Sequence, residues 1–286
     1  MGKFFDALRK AESAKGKQAP SSTSEKVVEL PTEKIDSLRL ESKLGENPLA
    51  RRKEFAGKFD PRLISVLDPQ SPGAEVFKLL RAKIFCKDLI CQGRTILVTS
   101  AQPLDGKSFV SANLAVSIAQ GINESVLLVD CDLRRPSQHN LFALRTHQGL
   151  SEYLEDGSSI APFLVKTPLE KLTILPAGTP PLNPSELLAS KKMGLLIDEI
   201  RSRYSDRYVI FDASPAKFTP ELTSLALKVD GILLVVRAGK TPVQLVSDVI
   251  ANLGREKILG LVFNASKDSQ KHYRYYQSYY SKHQPK

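Results

Sequence analysis

The chain has 286 residues, of which 42% are hydrophobic and 25% charged, and its formal net charge is +10. Three scattered cysteines exclude a disulfide framework or zinc site, and no apolar run approaches the roughly 20 residues of a membrane span. There is room for one large α/β domain or two small ones. The positive charge favours acidic partners such as nucleotides, anionic lipids or nucleic acid, and a solvated basic surface explains it equally well.

The N-terminal 58 residues are predicted to form a helix and a linker. Phe4, Leu8 and Ala11 recur at helical spacing within residues 1–15, which predicts an amphipathic helix. Such a helix docks on a partner or a membrane surface, or it is simply a frayed terminus. The remainder, 16–58, is rich in Lys, Glu, Ser, Pro and Gly and is typical of a flexible linker.

Residues 59–264 are predicted to form one domain, in which apolar strands alternate with helices. Continuous apolar strands of this kind predict an α/β fold with a mostly parallel sheet covered by helices on both faces. The predicted strands are 95–99, 126–129, 172–175, 208–211, 232–236 and 258–263, and the predicted helices are 71–90, 107–120, 185–203 and 241–254.

The segment Ser100–Ser108 joins a predicted strand to a predicted helix, and this context favours a phosphate-binding P-loop. Gly106 allows the backbone to approach a phosphate, Lys107 supplies a compact positive charge, and the Ser108 hydroxyl suits Mg²⁺. Ala101 occupies the place of the usual first glycine. The alternative is an ordinary loop with an exposed lysine.

Two carboxylates, Asp130 and Asp132, follow the strand 126–129. Open α/β sheets bind ligands at this end of their strands. One acid suits Mg²⁺, and the other suits the proton of an attacking hydroxyl in phosphoryl transfer. The alternative is that both acids pair with Arg134 and Arg135 as a structural cluster.

A third acid, Asp212, follows the strand 208–211. This is the usual position of the acid that orders Mg²⁺ in P-loop enzymes. An apolar strand that ends in Asp is common, so the prediction depends on the P-loop that precedes it.

The C-terminal residues 265–286 form a polar, basic tail with five tyrosines. A tail of this composition cannot bury five rings, so packing does not explain them. After a P-loop domain, a phosphorylation cluster is the favoured interpretation, and a stacking surface for single-stranded nucleic acid is the alternative. The tyrosines are Tyr273, Tyr275, Tyr276, Tyr279 and Tyr280.

Together, these motifs resemble the bacterial tyrosine kinases of exopolysaccharide biosynthesis, of the exosortase-associated type. These kinases are a branch of the deviant P-loop ATPases, which include partitioning and division-site ATPases. Leu104 and Asp105 replace the Gly-Glu that is usual in the family's P-loop. The matching segments are 5–12, Ser100–Ser108, Val129–Arg134, Asn183–Leu188, Val229–Gly231 and Arg237–Thr241.

The resemblance implies an ATP-dependent protein-tyrosine autokinase with Mg²⁺ as cofactor. It assigns Lys107, Asp130 and Asp132 to catalysis, with Asp132 as the group that activates the tyrosine hydroxyl. It assigns Mg²⁺ to Ser108, Asp130 and Asp212. The implied nucleotide contacts are Asp105, Gly106, Lys107, Ser108, Phe109 and, at the adenine, Asn264.

The resemblance also implies a ring-like homo-oligomer, with an octamer as one size, in which one subunit phosphorylates its neighbour's tail. The ring-forming helix of the family carries Glu-x-x-Arg-x-x-Arg, and Glu75, Lys78 and Arg81 hold these places here. Lys lacks the bidentate geometry of Arg, so we expect a weaker ring. The resemblance further implies a membrane chain-length protein as activator and a cognate tyrosine phosphatase. We also expect a cytoplasmic location at the inner membrane face and no nucleic-acid partner.

One departure from the family lies after the third acid. The usual Asp-x-Pro-Pro reads Asp212-Ala213-Ser214-Pro215 here. Metal binding is expected to survive, since the Asp is kept. Two alternatives stay open: a localising ATPase that shares the fold, and a non-catalytic regulator that binds ATP to gate a membrane partner.

Overall fold

A computed structural model describes the domain that carries these motifs. The predicted N-terminal helix, the linker and the five tail tyrosines lie outside the residues that it describes. The described residues are 59–86, 94–157, 159–203, 207–216 and 221–266.

The strands lie where the apolar segments predict them, with ends shifted by at most one residue. An additional two-residue strand, β3, was not predicted. The strands are β1 Thr95–Ser100, β2 Ser125–Asp130, β3 Val165–Lys166, β4 Leu172–Leu175, β5 Arg207–Asp212, β6 Gly231–Arg237 and β7 Ile258–Asn264.

Helices connect most of the strands. Among the described residues, none of the helices combines the length and the apolar character that crossing a membrane requires. The helices are α1 Ile64–Leu67, α2 Pro72–Cys86, α3 Lys107–Ala119, α4 Gln138–Leu141, α5 Leu150–Glu155, α6 Pro184–Ala189, α7 Lys191–Arg203, α8 Glu221–Lys228 and α9 Val243–Leu253, with 3₁₀ turns at Ala161–Phe163 and Arg255–Lys257.

The strands form one seven-stranded sheet in the order β3-β4-β2-β5-β1-β6-β7. β1 lies between β5 and β6, and β5 lies between β1 and β2, all in parallel. The short β3 pairs with β4 in antiparallel orientation at one edge. The predicted mostly parallel sheet is therefore confirmed.

Two hydrophobic cores cover the two faces of this sheet. Ile96 and Val98 of β1 belong to one core with Ile210 of β5, whereas Leu97 and Phe211 belong to the other. This alternation follows from the period of two in a strand. Helices α1 to α4 pack on the first face and α5 to α9 on the second, as predicted.

The predicted helix 185–203 is wrong as a single element, because the chain forms two helices there. Ser190 separates them with extended backbone, at φ −64° and ψ 156°. Its hydroxyl accepts a hydrogen bond from the backbone N–H of Met193 at 3.1 Å, so Ser190 caps the second helix. Helical spacing alone hid this break, since apolar residues continue on both sides of it.

Candidate active site

Three adjacent strands of the sheet bring the two acidic motifs and the P-loop to one place. In the order β2-β5-β1, Asp130 lies directly opposite Asp212, and Asp212 lies opposite Val98 of β1. The loop after β1 is the predicted P-loop. Because parallel strands share one carboxyl edge, all three acidic and phosphate-binding motifs converge there.

The P-loop enters α3 through two residues with left-handed backbone. Leu104 has φ 68°, and Gly106, which precedes the first helical residue, has φ 97°. A Cβ at Gly106 would lie 2.0 Å from Nδ2 of Asn264, so a larger residue has no room there. The requirement for glycine therefore comes from both conformation and close contact.

Asp105 and Asn264 stabilise the P-loop through hydrogen bonds. The Asp105 carboxylate is fully buried and accepts hydrogen bonds from the backbone N–H of Gln102 at 3.3 Å and from Oγ1 of Thr241 at 2.8 Å. Asn264 Nδ2 donates to the Asp105 carbonyl at 2.8 Å. The predicted nucleotide contacts of both side chains stay predictions, while their contacts here hold the shape of the loop.

Lys107 pairs with Asp132 across the site. Its Nζ lies 2.7 Å from Oδ2 of Asp132, and it donates to Oγ of Ser108 at 3.1 Å. Burial alone would lower the pKa of the Lys107 ammonium. The nearby carboxylates of Asp212 and Asp132 outweigh burial and raise this pKa, so Lys107 carries its charge.

The other oxygen of Asp132 faces the protein. Oδ1 accepts hydrogen bonds from Oγ of Ser214 at 3.0 Å and from the backbone N–H of Arg135 at 3.1 Å. Oδ2 is therefore the oxygen that faces Lys107, and Asp132 lines the cavity described below. The Ser214 contact was not predicted from the sequence.

Asp130 is fully buried and is held by backbone groups. Its Oδ1 accepts from the N–H of Asp132 at 3.1 Å, and its Oδ2 accepts from Ser137 and Gln138 at 3.1 and 3.0 Å. Burial, followed by repulsion from Asp212, raises the pKa of Asp130 to about 7. Asp130 is therefore a carboxyl whose charge an added cation would stabilise.

Asp212 has one satisfied and one unsatisfied oxygen. Oδ2 accepts from Nε2 of Gln138 at 2.7 Å, whereas the buried Oδ1 has no hydrogen-bond partner. Burial is the main cause that raises the pKa of Asp212, and the charge of Lys107 and the hydrogen bond from Gln138 oppose it. Gln138 was missed from the sequence, since an amide on a short helix carries no motif.

Mg²⁺ fits this arrangement of oxygens. The unpartnered Oδ1 of Asp212 and the nearby Ser108 hydroxyl are hard donors of the kind that Mg²⁺ prefers. Among the described residues, no group of three or more His, Cys, Asp or Glu side chains forms a metal site by itself. Substrate phosphates and water would complete the coordination, as is usual for Mg²⁺.

The alternative in which both aspartates pair with Arg134 and Arg135 is wrong for Arg134. Its guanidinium contacts the buried Glu221 at 3.4 Å and donates to Oγ of Ser185 at 2.8 Å. Ser185 in turn donates to Glu221 at 2.9 Å. This cluster ties the Asn183–Leu188 motif to the loop that follows Asp132, which places two sequence motifs in one structural unit.

A cavity of about 540 Å³ opens beside the P-loop. Arg62, Arg134 and Arg135 line it beside Lys107. Asp60 pairs with Arg62 and Glu221 with Arg134, yet basic side chains outnumber acidic ones at the cavity wall, which suits a polyphosphate. The remaining predicted site residues at its wall are Gly106, Ser108, Phe109 and Asp132.

The predicted oligomerisation residues lie on α2, away from this cavity wall. Lys78 Nζ pairs with Glu75 at 2.6 Å within the same helix, and Arg81 donates to the backbone carbonyl of Ser117 on α3. Both cations therefore have partners within their own chain. Their role in a ring stays a prediction.

A P-loop between a buried strand and α3, with carboxylates at the ends of the neighbouring strands, defines a nucleotide-binding domain of the P-loop class. Residues 96–285 match the family described as the CobQ/CobB/MinD/ParA nucleotide binding domain. The chain is 34% identical over 231 residues to the tyrosine-protein kinase YwqD of Bacillus subtilis (strain 168), covering 80% of this chain and 96% of YwqD. The chain belongs to this nucleotide-binding family and, within it, to the bacterial tyrosine-protein kinases.

Two further comparisons agree with that placement. The solved kinase domain of Escherichia coli tyrosine kinase ETK superposes with a TM-score of 0.67 at 30% identity, covering 73% of this chain and 83% of the ETK chain. The succinoglycan biosynthesis transport protein ExoP of Rhizobium meliloti (strain 1021) is 34% identical over 203 residues. That match covers 68% of this chain but only 25% of ExoP, so it concerns one domain of a longer protein.

Proposed function

We propose that this chain transfers the γ-phosphoryl group of Mg-ATP to tyrosines in the C-terminal tail of a neighbouring copy. The pair of Lys107 and Asp132 at 2.7 Å is the observation that carries this proposal. It joins the phosphate-binding cation to the carboxylate best placed to accept a proton. Both groups line the same positively charged cavity.

Nucleotide binding would exchange one partner of Lys107 for another. The backbone N–H groups of the P-loop and of the α3 N-terminus attract the phosphates. Lys107 then turns from Asp132 Oδ2 to the β- and γ-phosphates, whose greater charge competes with one carboxylate. The same movement frees Oδ2 of Asp132 toward the cavity, so ATP binding prepares the base.

The transfer step follows from that geometry. The tyrosine Oη forms a bond to the γ-phosphorus while the bond from that phosphorus to the β,γ-bridging oxygen breaks, and ADP leaves with that electron pair. The Oη proton passes to Oδ2 of Asp132. Lys107 remains on the phosphates, where it offsets the charge that develops on the leaving oxygen.

Ser108 and Asp212 would hold the magnesium ion, with Asp130 close behind. When bound, Mg²⁺ neutralises phosphate charge and orients the γ-phosphoryl group. Asp212 offers its unsatisfied Oδ1, and the raised pKa of Asp130 returns toward its ordinary range once a cation is near. Gln138 keeps Asp212 oriented through its amide.

The biological setting is exopolysaccharide polymerisation and export. The printed name of ExoP, a succinoglycan biosynthesis transport protein, supports this setting. We infer a peripheral location at the inner face of the cell membrane, reached through a separate membrane chain-length protein that activates the kinase. A cognate tyrosine phosphatase would reset the tail.

Tail phosphorylation would control the oligomer. Each phosphotyrosine adds roughly −1.5 to −2 charge, so five would reverse the sign of the basic tail and make neighbouring tails repel. A ring held through α2, with Glu75, Lys78 and Arg81, would then dissociate. Light scattering before and after phosphorylation tests this, and an unchanged particle mass would contradict it.

Transfer between subunits can be tested by mixing two defective chains. One chain carries Lys107→Met and keeps its tail, and the other keeps Lys107 but has all five tail tyrosines changed to Phe. We expect phosphotyrosine on the Lys107→Met chain only in the mixture with Mg-ATP. ATP hydrolysis without any transfer, even with an activator segment added, would favour the localising ATPase.

A further inference from the structure

The Ser214 hydroxyl is directed at the carboxylate proposed as the base. Its Oγ donates to Oδ1 of Asp132 at 3.0 Å, and both residues are only 4% exposed. Both also line the cavity beside the P-loop. The contact joins the loop after β5 to the loop after β2, which are 82 residues apart in sequence.

The backbone around Ser214 is fixed on two sides. The hydroxyl of Thr99, which is fully buried in β1, donates to the Ser214 carbonyl at 2.7 Å. The preceding residue, Ala213, donates its N–H to the carbonyl of Val98 at 3.0 Å. These two hydrogen bonds fix the backbone position of Ser214, and its short side chain has few orientations available.

The two carboxylate oxygens of Asp132 consequently have different partners. Oδ1 receives both Ser214 Oγ and the N–H of Arg135, whereas Oδ2 receives Lys107 alone. When Lys107 turns to the phosphates, Oδ1 keeps both of its hydrogen bonds. Only Oδ2 becomes free, and it already faces the P-loop lysine.

We propose that Ser214 is a positioning residue that fixes Asp132 through Oδ1, so that Oδ2 is the oxygen presented to the tyrosine hydroxyl. This inference rests on the proposed kinase function. Ser214 stands where the Asp-x-Pro-Pro pattern has its first proline. Because proline has no hydroxyl, a chain with the usual pattern could not donate this hydrogen bond to Asp132. Ser214 acts through Asp132 and does not itself contact the reacting atoms.

The test uses Ser214→Ala, which removes the hydroxyl, and Ser214→Thr, which keeps it. Each is placed in the chain with five Phe in its tail, and the Lys107→Met chain serves as acceptor. We expect Ala to lower kcat for transfer about tenfold, as befits a hydrogen bond to a charged group, with KM for ATP changed less than twofold. Thr should retain at least half of the kcat.

A double variant separates positioning from packing. In an Asp132→Asn background, Ser214→Ala should cause no further loss of kcat, because the two residues act as a unit. Ser247→Ala, an exposed hydroxyl on α9, serves as the matched control and should leave kcat unchanged.

Three results would overturn the inference: an unchanged kcat in Ser214→Ala, equal losses in Ala and Thr, or additive losses with Asp132→Asn. Absence of transfer by the parent chain, with the same acceptor and an activator segment added, would instead count against the proposed function. The two failures are therefore distinguishable.

Discussion

The two aspartates of one short motif occupy opposite environments. Asp130 lies in the interior, where three backbone N–H groups hold it and its pKa rises to about 7. Asp132, two residues later, reaches the cavity wall and pairs with Lys107. The side chains of a strand end alternate in direction, so an Asp-x-Asp spacing would place both on one face if the strand continued. The turn after Asp130 is what separates them.

The difference shows how one edge of a sheet supports two kinds of chemistry. The buried side, with Asp130 and Asp212, holds two carboxyl groups whose pKa values are raised and whose ionised form a bound cation would stabilise. The cavity side carries the ion pair of Lys107 and Asp132, which a bound polyphosphate would break by attracting Lys107. The first predictions below change one side or the other, and the last concerns the tip of the P-loop.

The largest effect is expected for Asp212→Asn on the buried side. Loss of the unsatisfied Oδ1 should reduce Mg-dependent hydrolysis and transfer roughly 1,000-fold, a typical loss for a key electrostatic group. Steady-state kinetics of both activities measure this loss, and transfer at the parent rate with Mg²⁺ would contradict the metal role proposed for Asp212.

Asp132→Asn, on the cavity side, should lower kcat for transfer roughly 100-fold, since removal of a general base typically costs 10²–10⁴. ATP binding should persist, because Lys107 remains charged and loses a competitor. Titration with a fluorescent ATP analogue checks the affinity. Equal losses in kcat and in ATP affinity would mean that Asp132 serves binding rather than proton transfer.

The pKa of Asp130 predicts how stability depends on pH. Because the folded state holds its proton up to about pH 7 and the unfolded chain releases it near pH 4, this contribution is full at low pH. It is lost as the pH rises from about 4 to 7. Between pH 5 and 8 the loss should be of the order of 2–3 kcal/mol in the nucleotide-free protein.

Urea unfolding of the parent and of Asp130→Asn at both pH values isolates this contribution. The variant cannot ionise at this position, so its pH slope should be shallower. A slope identical to that of the parent would assign the effect to other groups.

A smaller effect is expected at the tip of the P-loop. Leu104 has φ 68° and is 84% exposed, so it is strained without gaining packing. Left-handed backbone costs a non-glycine residue about 1–2 kcal/mol, and the larger unfolded-state entropy of glycine returns part of that. Leu104→Gly should therefore raise the melting temperature by about 2–4 °C. Leu104→Ala, which keeps the strain, is the matched control and should not.

The sequence predicts the sheet better than it predicts the site. Apolar runs locate the strands because burial on both faces leaves an uninterrupted signal, and Lys107, Asp130, Asp132 and Asp212 follow from their places at strand ends. The strand order is not encoded locally, so neither the contact of Asp130 with Asp212 nor the pairing of Lys107 with Asp132 could be predicted from spacing.

Residues that support the site were harder to find. Gln138 lies outside any motif and Ser214 departs from one, and only the fold brings them to Asp212 and Asp132. The nucleotide contact of Asp105 stays a prediction, and the hydrogen bond from Thr241 to its buried carboxylate could not be predicted from the sequence. A short-range pattern identifies the chemistry of a side chain but not the partner that the fold gives it.

Intact-mass spectrometry after incubation with Mg-ATP tests the central claim most directly. The parent chain, with an activator segment if needed, should gain successive phosphate masses, whereas Lys107→Met and the chain with five tail Phe residues should each gain none when incubated alone. Phosphate on the five-Phe chain would contradict a tail acceptor. A parent chain that hydrolyses ATP but never gains mass would contradict the autokinase.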